Sequence, residues 1–171
     1  MAKSKELYFQ QIVDAGIVAV IRARRVEQLL PLTEALLAGG VPGIEVTMTT
    51  PDAVRGIEML CERFGDQAVI GAGTVIDAAT AAKVIAAGAQ FVVSPVFDAS
   101  IVETTRKHSR ISIPAGFTPT EILRAWSAIC CITAAEAADE AATLASAINT
   151  GPLPSSLPTR SFRSSIAVPC F

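Results

Sequence analysis

The stretch IVAVIRARRVEQLLPLTEALLAGG, residues 17–40, contains one complete strand-and-helix unit. Its first five residues form a continuous apolar run, which is typical of a strand buried on both faces. Apolar residues then recur with helical spacing, and Gly39-Gly40 ends that pattern. The stretch therefore predicts a β-strand over Ile17–Ile21 followed by an α-helix over Val26–Ala38.

The same alternation recurs four more times along the chain. Parallel strands need helical crossovers between them, so five consecutive units predict a parallel sheet. Large apolar residues on the helices, Trp126 among them, are interpreted as core. The further predicted pairs of strand and helix are Ile44–Met48 with Asp52–Phe64, Ala68–Ile70 with Ala78–Ala87, Phe91–Val93 with Ala99–Lys107, and Ile111–Ile113 with Thr120–Trp126.

Polar residues and glycines occur at the ends of all five predicted strands. A (β/α)8 barrel gathers function at the C-terminal ends of many strands, whereas an open doubly wound sheet concentrates it at one switch point. Because these residues are spread widely, we predict an α/β fold of the TIM-barrel type. They are Arg22, Glu45, Thr47, Thr49, Gly71–Thr74, Ser94-Pro95 and Ala115–Thr118.

The alternation weakens after the fifth unit, so the predicted barrel is incomplete. A possible sixth unit comprises a strand over Ala128–Thr133 and an alanine-rich helix over 134–148, and the residues after it are rich in proline and serine. A full barrel of this kind runs to about 250 residues, and strands seven and eight are not recognisable. We therefore predict a barrel portion over residues 1–128 and a divergent C-terminal segment over 129–171.

The composition favours small-molecule chemistry. The chain is 51% hydrophobic but 5% aromatic, the aliphatic balance expected of an α/β core. A net charge of −2 without blocks of like charge argues against nucleic-acid and membrane partners. No apolar run reaches the roughly 18 residues of a membrane span, and Lys3, Lys5 and Glu6 do not fit a signal peptide. We expect a cytoplasmic protein.

The cysteines and the single histidine do not suggest a metal site. The cysteines at 61, 130, 131 and 170 form neither a C-x-x-C pair nor any metal-ligand spacing, so we interpret them as reduced, mostly buried thiols. His108 follows two basic residues at a predicted helix end, where a helix dipole favours cations. We therefore expect neither a metal nor a cofactor.

Alternation along the second predicted strand separates an apolar face from a polar face. Ile44 and Val46 share one face, and Glu45, Thr47 and Thr49 share the other. In a barrel the apolar set packs under the helices and the polar set faces the interior. Burial raises the pKa of a carboxyl group toward values useful for proton transfer. Two interpretations stay open: Glu45 is a general acid/base, or it makes a structural bond to a neighbouring strand.

Two further features have both a functional and a structural explanation. The turn Gly71-Ala72-Gly73-Thr74 lets backbone amides approach an anion, but a glycine-rich turn is often only a tight connection. Arg22, at the end of the first strand, suits a carboxylate or phosphate, or a salt bridge to an adjacent loop.

Four motifs, in this order, resemble the 2-keto-3-deoxy-6-phosphogluconate (KDPG) and 4-hydroxy-2-oxoglutarate aldolase family, over about residues 11–128. The resemblance implies a class I aldolase on a (β/α)8 barrel, usually a homotrimer. Such an enzyme cleaves a 2-keto acid into pyruvate and an aldehyde without a metal. The motifs are IEVTMTTP at 44–51, GAGTV at 71–75, GAQFVVSP at 88–95 and TPTEI at 118–122.

The resemblance also assigns roles to individual residues. It makes Glu45 the general acid/base that shuttles protons, and Thr74 the residue that helps hold the substrate carboxylate. Thr49 stands where some members carry an arginine that contacts substrate. The positions that match substrate-binding residues of the family are Arg22, Thr49, Gly73, Thr74 and Pro95.

The lysine that forms the Schiff base in this family has no counterpart. Its position falls at Ala134, and no lysine follows Lys107. Lys83 and Lys107 lie on predicted outer helices, which makes them poor substitutes. Three hypotheses follow: an aldolase by descent, a catalytically silent module that binds 2-keto acids, or a barrel truncated or frameshifted near codon 128.

Overall fold

The computed structural model describes residues 4–128, which form a single parallel sheet with helices. Five strands alternate with helices, as the sequence predicts. The strands are β1 (Val18–Ile21), β2 (Gly43–Thr47), β3 (Val69–Gly73), β4 (Phe91–Ser94) and β5 (Ile111–Pro114). The helices are α1 (Lys5–Ala15), a short 3-10 helix (Val26–Gln28), α2 (Leu29–Ala38), α3 (Ala53–Phe64), α4 (Ala78–Ala86), α5 (Ala99–Lys107) and α6 (residues 119–128).

The sheet order is β1-β2-β3-β4-β5, with every neighbouring pair parallel. No reversal of strand order occurs, so the sheet has no switch point of the doubly wound kind. The TIM-barrel-like α/β prediction is confirmed, and the barrel is partial within the part of the chain that the structure describes. One row of register partners crosses all five strands: Val20, Glu45, Gly71, Phe91 and Ile111.

The outer face of the sheet carries the main core. Ile44, Val46, Ile70 and Ala72 point to this face and are fully buried in one cluster with residues of α2, α3, α4 and α5. The predicted division of β2 is therefore confirmed: its apolar side chains pack under the helices, and Glu45 and Thr47 face the other way.

A second, smaller core closes the inner face at the N-terminal end of the strands. Tyr8 of α1 packs with the first residues of β3, β4 and β5, which are Val69, Phe91 and Ile111. The sequence analysis missed α1, although Ser4 caps its first turn and Gly16 ends it with a positive φ of 65°. Toward the C-terminal ends of the strands the inner face is more exposed, as at Val20, and the predicted site residues lie at this end.

Some boundaries and one burial prediction differ from expectation. The helix predicted from Val26 begins as a 3-10 turn, and Pro51 lies outside α3, before its N-cap residue Asp52. Trp126 is 56% exposed among the described residues, so its assignment to the core is wrong.

The sixth unit and the segment 129–171 lie outside the described residues. None of the described helices is long and apolar enough to cross a membrane.

Candidate active site

Glu45 stands in the middle of β2 on the inner face of the sheet. Its register partners are Val20 on one side and Gly71 on the other. The side chain is half-buried. Alternation along β2 fixes this orientation, because the neighbouring Ile44 and Val46 are held in the outer core.

The Glu45 side chain lies directly over Gly73 of the adjacent strand. A Cβ atom added to Gly73 would come within 2.5 Å of the carboxyl carbon and 2.8 Å of Cγ. No side chain fits there unless Glu45 moves. The structure thus brings together Glu45 and Gly73, both of which are predicted site residues. They can lie this close because Gly73 has no side chain to occupy the space.

The Glu45 carboxyl group has no hydrogen bond or ion pair within residues 4–128. Burial alone raises its pKa above the ordinary value of 4.5. No described neighbour compensates the charge, so the neutral form is favoured. A carboxyl group with a raised pKa keeps its proton to a higher pH and is a better proton acceptor once ionised, which suits general acid/base chemistry.

Thr74 follows β3 directly and adopts a left-handed backbone conformation, with a φ of 63°. This conformation is rare for a β-branched residue and costs about 1–2 kcal/mol. Hydrogen bonds on both sides hold the turn: the Gly73 carbonyl accepts from Met48 N–H at 2.8 Å, and Val75 N–H donates to the Val93 carbonyl at 3.2 Å. Strain held in this way is frequent at ligand sites.

The other predicted binding residues lie at the same C-terminal edge, but the structure does not bring all of them into contact. Thr49 is exposed, with its hydroxyl 2.9 Å from that of Thr47, and Pro95 is exposed just after β4. Arg22 is exposed and lines an open cleft of about 460 Å³ beside the 3-10 helix and α2. Glu45 and Thr74 do not line that cleft.

The described lysines all lie on helices. Lys5 is on α1, Lys83 on α4 and Lys107 on α5. Lys107 is paired with Glu103 at 2.8 Å. The position that corresponds to the family's lysine, Ala134, lies outside the described residues. Between residues 4 and 128, no group of three or more His, Cys, Asp or Glu side chains is placed to hold a metal ion.

The structure adds one residue that the sequence analysis had not singled out. A Cβ atom on Gly71 would run into the ring of Phe91, so this ring lies over Gly71 as Glu45 lies over Gly73. Phe91 is fully buried and separates the site from the core below it. The sequence signal that could have predicted this contact is the pair of glycines in β3, because a glycine leaves space for a neighbouring side chain.

Comparison with known protein families supports the resemblance seen in the motifs. The family described as KDPG and KHG aldolase matches residues 9–134. The 2-dehydro-3-deoxy-phosphogluconate aldolase of Dickeya dadantii is 36% identical over 115 residues, which are 67% of this chain and 54% of that protein. The corresponding Treponema pallidum enzyme is 38% identical over 117 residues, 68% and 55% of the two chains. The chain spans about half the length of these curated relatives.

Solved structures agree. KDPG aldolase from Legionella pneumophila, with pyruvate captured as a covalent carbinolamine intermediate, is 38% identical with a TM-score of 0.58, over 65% of this chain and 52% of that one. The Zymomonas mobilis ZM4 enzyme with 3-phosphoglycerate is 26% identical with a TM-score of 0.64, over 75% and 59%. Motifs, fold and comparisons converge, and this chain belongs to the KDPG and KHG aldolase family.

Proposed function

We propose that this chain carries the acid/base part of a class I aldolase site for a 2-keto acid. The substrate is a 2-keto-3-deoxy-6-phospho sugar acid or 4-hydroxy-2-oxoglutarate, and the products are pyruvate and an aldehyde. The observation that carries the proposal is the half-buried Glu45 carboxyl group, which has no partner among the described residues and lies over Gly73 beside the strained Thr74 turn.

The role of Glu45 follows from the chemistry of carbon–carbon cleavage. When the C3–C4 bond breaks, the proton of the C4 hydroxyl must leave and C3 must later gain one. A carboxyl group with a raised pKa can take the first proton and return the second. In this proposal Thr74 and the Gly73 turn support the substrate carboxylate, and Arg22, Thr49 and Pro95 are further substrate-binding residues.

A second candidate function is a binding module that recognises 2-keto acids without cleaving them. The absence of any lysine after Lys107, with alanine at position 134, favours it. Without an amine the iminium that accepts the bonding electrons cannot form, and loss of the nucleophile removes most of an enzyme's acceleration. We also propose a barrel portion over residues 1–128, a C-terminal segment of divergent sequence over residues 129–171, and assembly of the chain as a cytoplasmic homotrimer.

Borohydride reduction in the presence of pyruvate separates the two functions. The full chain is incubated with pyruvate and reduced with borohydride, and its mass is then measured by mass spectrometry. Pyruvate binding is titrated in parallel by calorimetry. A reduced adduct with pyruvate, together with aldehyde release when 4-hydroxy-2-oxoglutarate is supplied in a separate assay, supports the aldolase. Saturable binding without an adduct supports the binding module. If pyruvate neither binds nor forms an adduct, both proposals fail.

Sequencing of the coding DNA around codon 128 tests the proposed origin of the C-terminal segment. If an alternative frame restores a lysine near position 134, a frameshift explains the loss of the nucleophile. If neither alternative frame does so, the frameshift hypothesis is wrong.

A further inference from the structure

Two buried threonines hold the backbone on either side of Arg22. Thr47 Oγ1 donates to the Ile21 carbonyl at 3.3 Å, and the Ala23 N–H donates to Thr50 Oγ1 at 3.3 Å. Both threonine side chains are buried, whereas Arg22 itself is exposed. The threonines come from β2 and the turn after it, so they connect two neighbouring strand ends.

The Thr47 hydroxyl also contacts Thr49, with 2.9 Å between the two Oγ1 atoms, and either hydroxyl can be the donor. The following two amides are also occupied, since Gln28 Oε1 accepts from Arg24 N–H at 3.1 Å and from Arg25 N–H at 3.2 Å. The loop around Arg22 is therefore fixed before any ligand arrives.

We propose that Thr47 and Thr50 are positioning residues that act through Arg22, a role that rests on the proposed binding of a 2-keto acid. Within residues 4–128, Arg22 has no ion-pair partner, so its guanidinium is free to meet an anionic group of the substrate. Ordering a loop and a long side chain at the moment of binding costs affinity, and a loop already fixed avoids part of that cost. The two hydroxyls supply this preorganisation.

The test replaces each hydroxyl by a methyl group of the same size. Thr50→Val and Thr47→Val remove one backbone tether each. Thr33→Val is the matched control, because Thr33 is equally buried but its hydroxyl has no hydrogen-bond partner in the described part of the chain. Thr50→Ser and Thr47→Ser keep the hydroxyl, so they should restore the behaviour of the unaltered chain.

The first readout is the Kd for pyruvate in two backgrounds. With Arg22 present, Thr50→Val should weaken binding about three- to tenfold, which corresponds to one lost hydrogen bond. In the Arg22→Ala background the same change should have no effect, because residues that act as a unit are not additive. Equal weakening in both backgrounds would overturn the proposal, since it would indicate a merely structural role.

The second readout does not need a ligand. NMR relaxation of the Arg22 Nε–H group should show greater side-chain mobility in Thr50→Val and Thr47→Val than in Thr33→Val. If the unaltered chain does not bind pyruvate, the proposed function is wrong. The mobility measurement alone then tests whether the hydrogen bonds from Thr47 and Thr50 restrain Arg22. Equal mobility in all three variants would contradict the positioning role. Should Thr50→Val not fold, Thr50→Ala, which also lacks the hydroxyl, would replace it in the Arg22 and Arg22→Ala backgrounds, and affinity loss in the first background alone would again be required.

Discussion

The two faces of one sheet differ sharply in this protein. On the outer face Ile70 is fully buried under the helices, as are its register partner Ile44 and the neighbouring Ala72. On the inner face, toward the C-terminal ends, Val20 is 63% exposed, Ile113 is 40% exposed and Glu45 is half-buried. The same strands therefore supply a buried core on one side and a more exposed surface that carries the candidate site residues on the other.

This difference separates stability from chemistry within each strand. Residues that alternate along β2 contribute in turn to the outer core and to the site, so the core fixes the direction in which Glu45 points. A change on the outer face should affect folding, and a change on the inner face beyond the buried Phe91 should affect ligand binding. The predictions below test that separation.

The largest effect should come from the outer face. Ile70→Ala removes a fully buried side chain and leaves a cavity, so the free energy of unfolding should fall by about 2–5 kcal/mol. Val20→Ala, on the inner face, should change it by no more than about 0.5 kcal/mol. Urea denaturation followed by circular dichroism measures both. Similar losses in the two variants would contradict the division between the faces.

The two glycines of β3 should respond differently to the same substitution. Gly71→Ala forces the fully buried Phe91 ring out of place and should cost about 1–3 kcal/mol of stability. Gly73→Ala meets the flexible Glu45 side chain, which can move into solvent, so the cost should stay below about 1 kcal/mol.

Pyruvate titration completes that comparison. Gly73→Ala should weaken binding, despite the small change in stability, because the displaced and protonated Glu45 carboxyl group can no longer donate a hydrogen bond to the ligand. A Gly73→Ala variant that binds as well as the unaltered chain would show that the contact with Glu45 has no functional role.

The two strained turns offer a third comparison. Thr74 and Ser109 both adopt a positive φ, at 63° and 53°, but Thr74 ends β3 at the site whereas Ser109 precedes β5 at the opposite end. Asparagine tolerates this conformation better, so each substitution to Asn should raise the free energy of unfolding by up to about 1 kcal/mol. Only Thr74→Asn should weaken pyruvate binding. Thermal unfolding and titration of both variants check this, and a loss of binding in Ser109→Asn would be unexpected.

The smallest effect concerns pH. Burial raises the pKa of Glu45 in the folded chain, so this group stabilises the fold below its unfolded pKa, and that contribution is lost as pH rises through the folded pKa. Glutamine cannot ionise. The difference in free energy of unfolding between Glu45→Gln and the unaltered chain should therefore favour the variant more at pH 7 than at pH 4. This difference should change by less than about 1 kcal/mol between the two pH values, because solvent screens a half-exposed group.

Thermal unfolding across this pH range measures that difference. Glu58→Gln, at an exposed position on α3, is the control. If both variants show the same pH dependence, the shift at Glu45 has no measurable consequence.

Patterns local in sequence predicted most of the fold. Apolar runs located all five strands, and alternation along β2 placed Glu45 on the inner face. The polar helix α1 was missed because its buried contact, Tyr8, depends on residues 61 or more positions away. Trp126 was assigned to the core only because it is large and apolar, but many apolar side chains remain on the surface of folded proteins.

The finer features of the site needed the register between strands. Gly73 lies under Glu45 only because β2 and β3 pair as they do, and the tethers from Thr47 and Thr50 connect residues that are 26 and 27 positions apart. The positive φ of Thr74 is equally invisible, because threonine is not a residue type that signals it. Composition and motifs identified the family, whereas the pairing of the strands determines the geometry of the candidate site.

The pair of glycines in β3 sets a limit for anyone who wishes to re-engineer the cavity. This strand contributes room and no atoms to the interior at Gly71 and Gly73, so it has nothing left to trim. More room on this face can come only from shortening the side chains that lean across from β2 and β4. Since one of these is Glu45 itself, Phe91 is the position at which to widen the cavity.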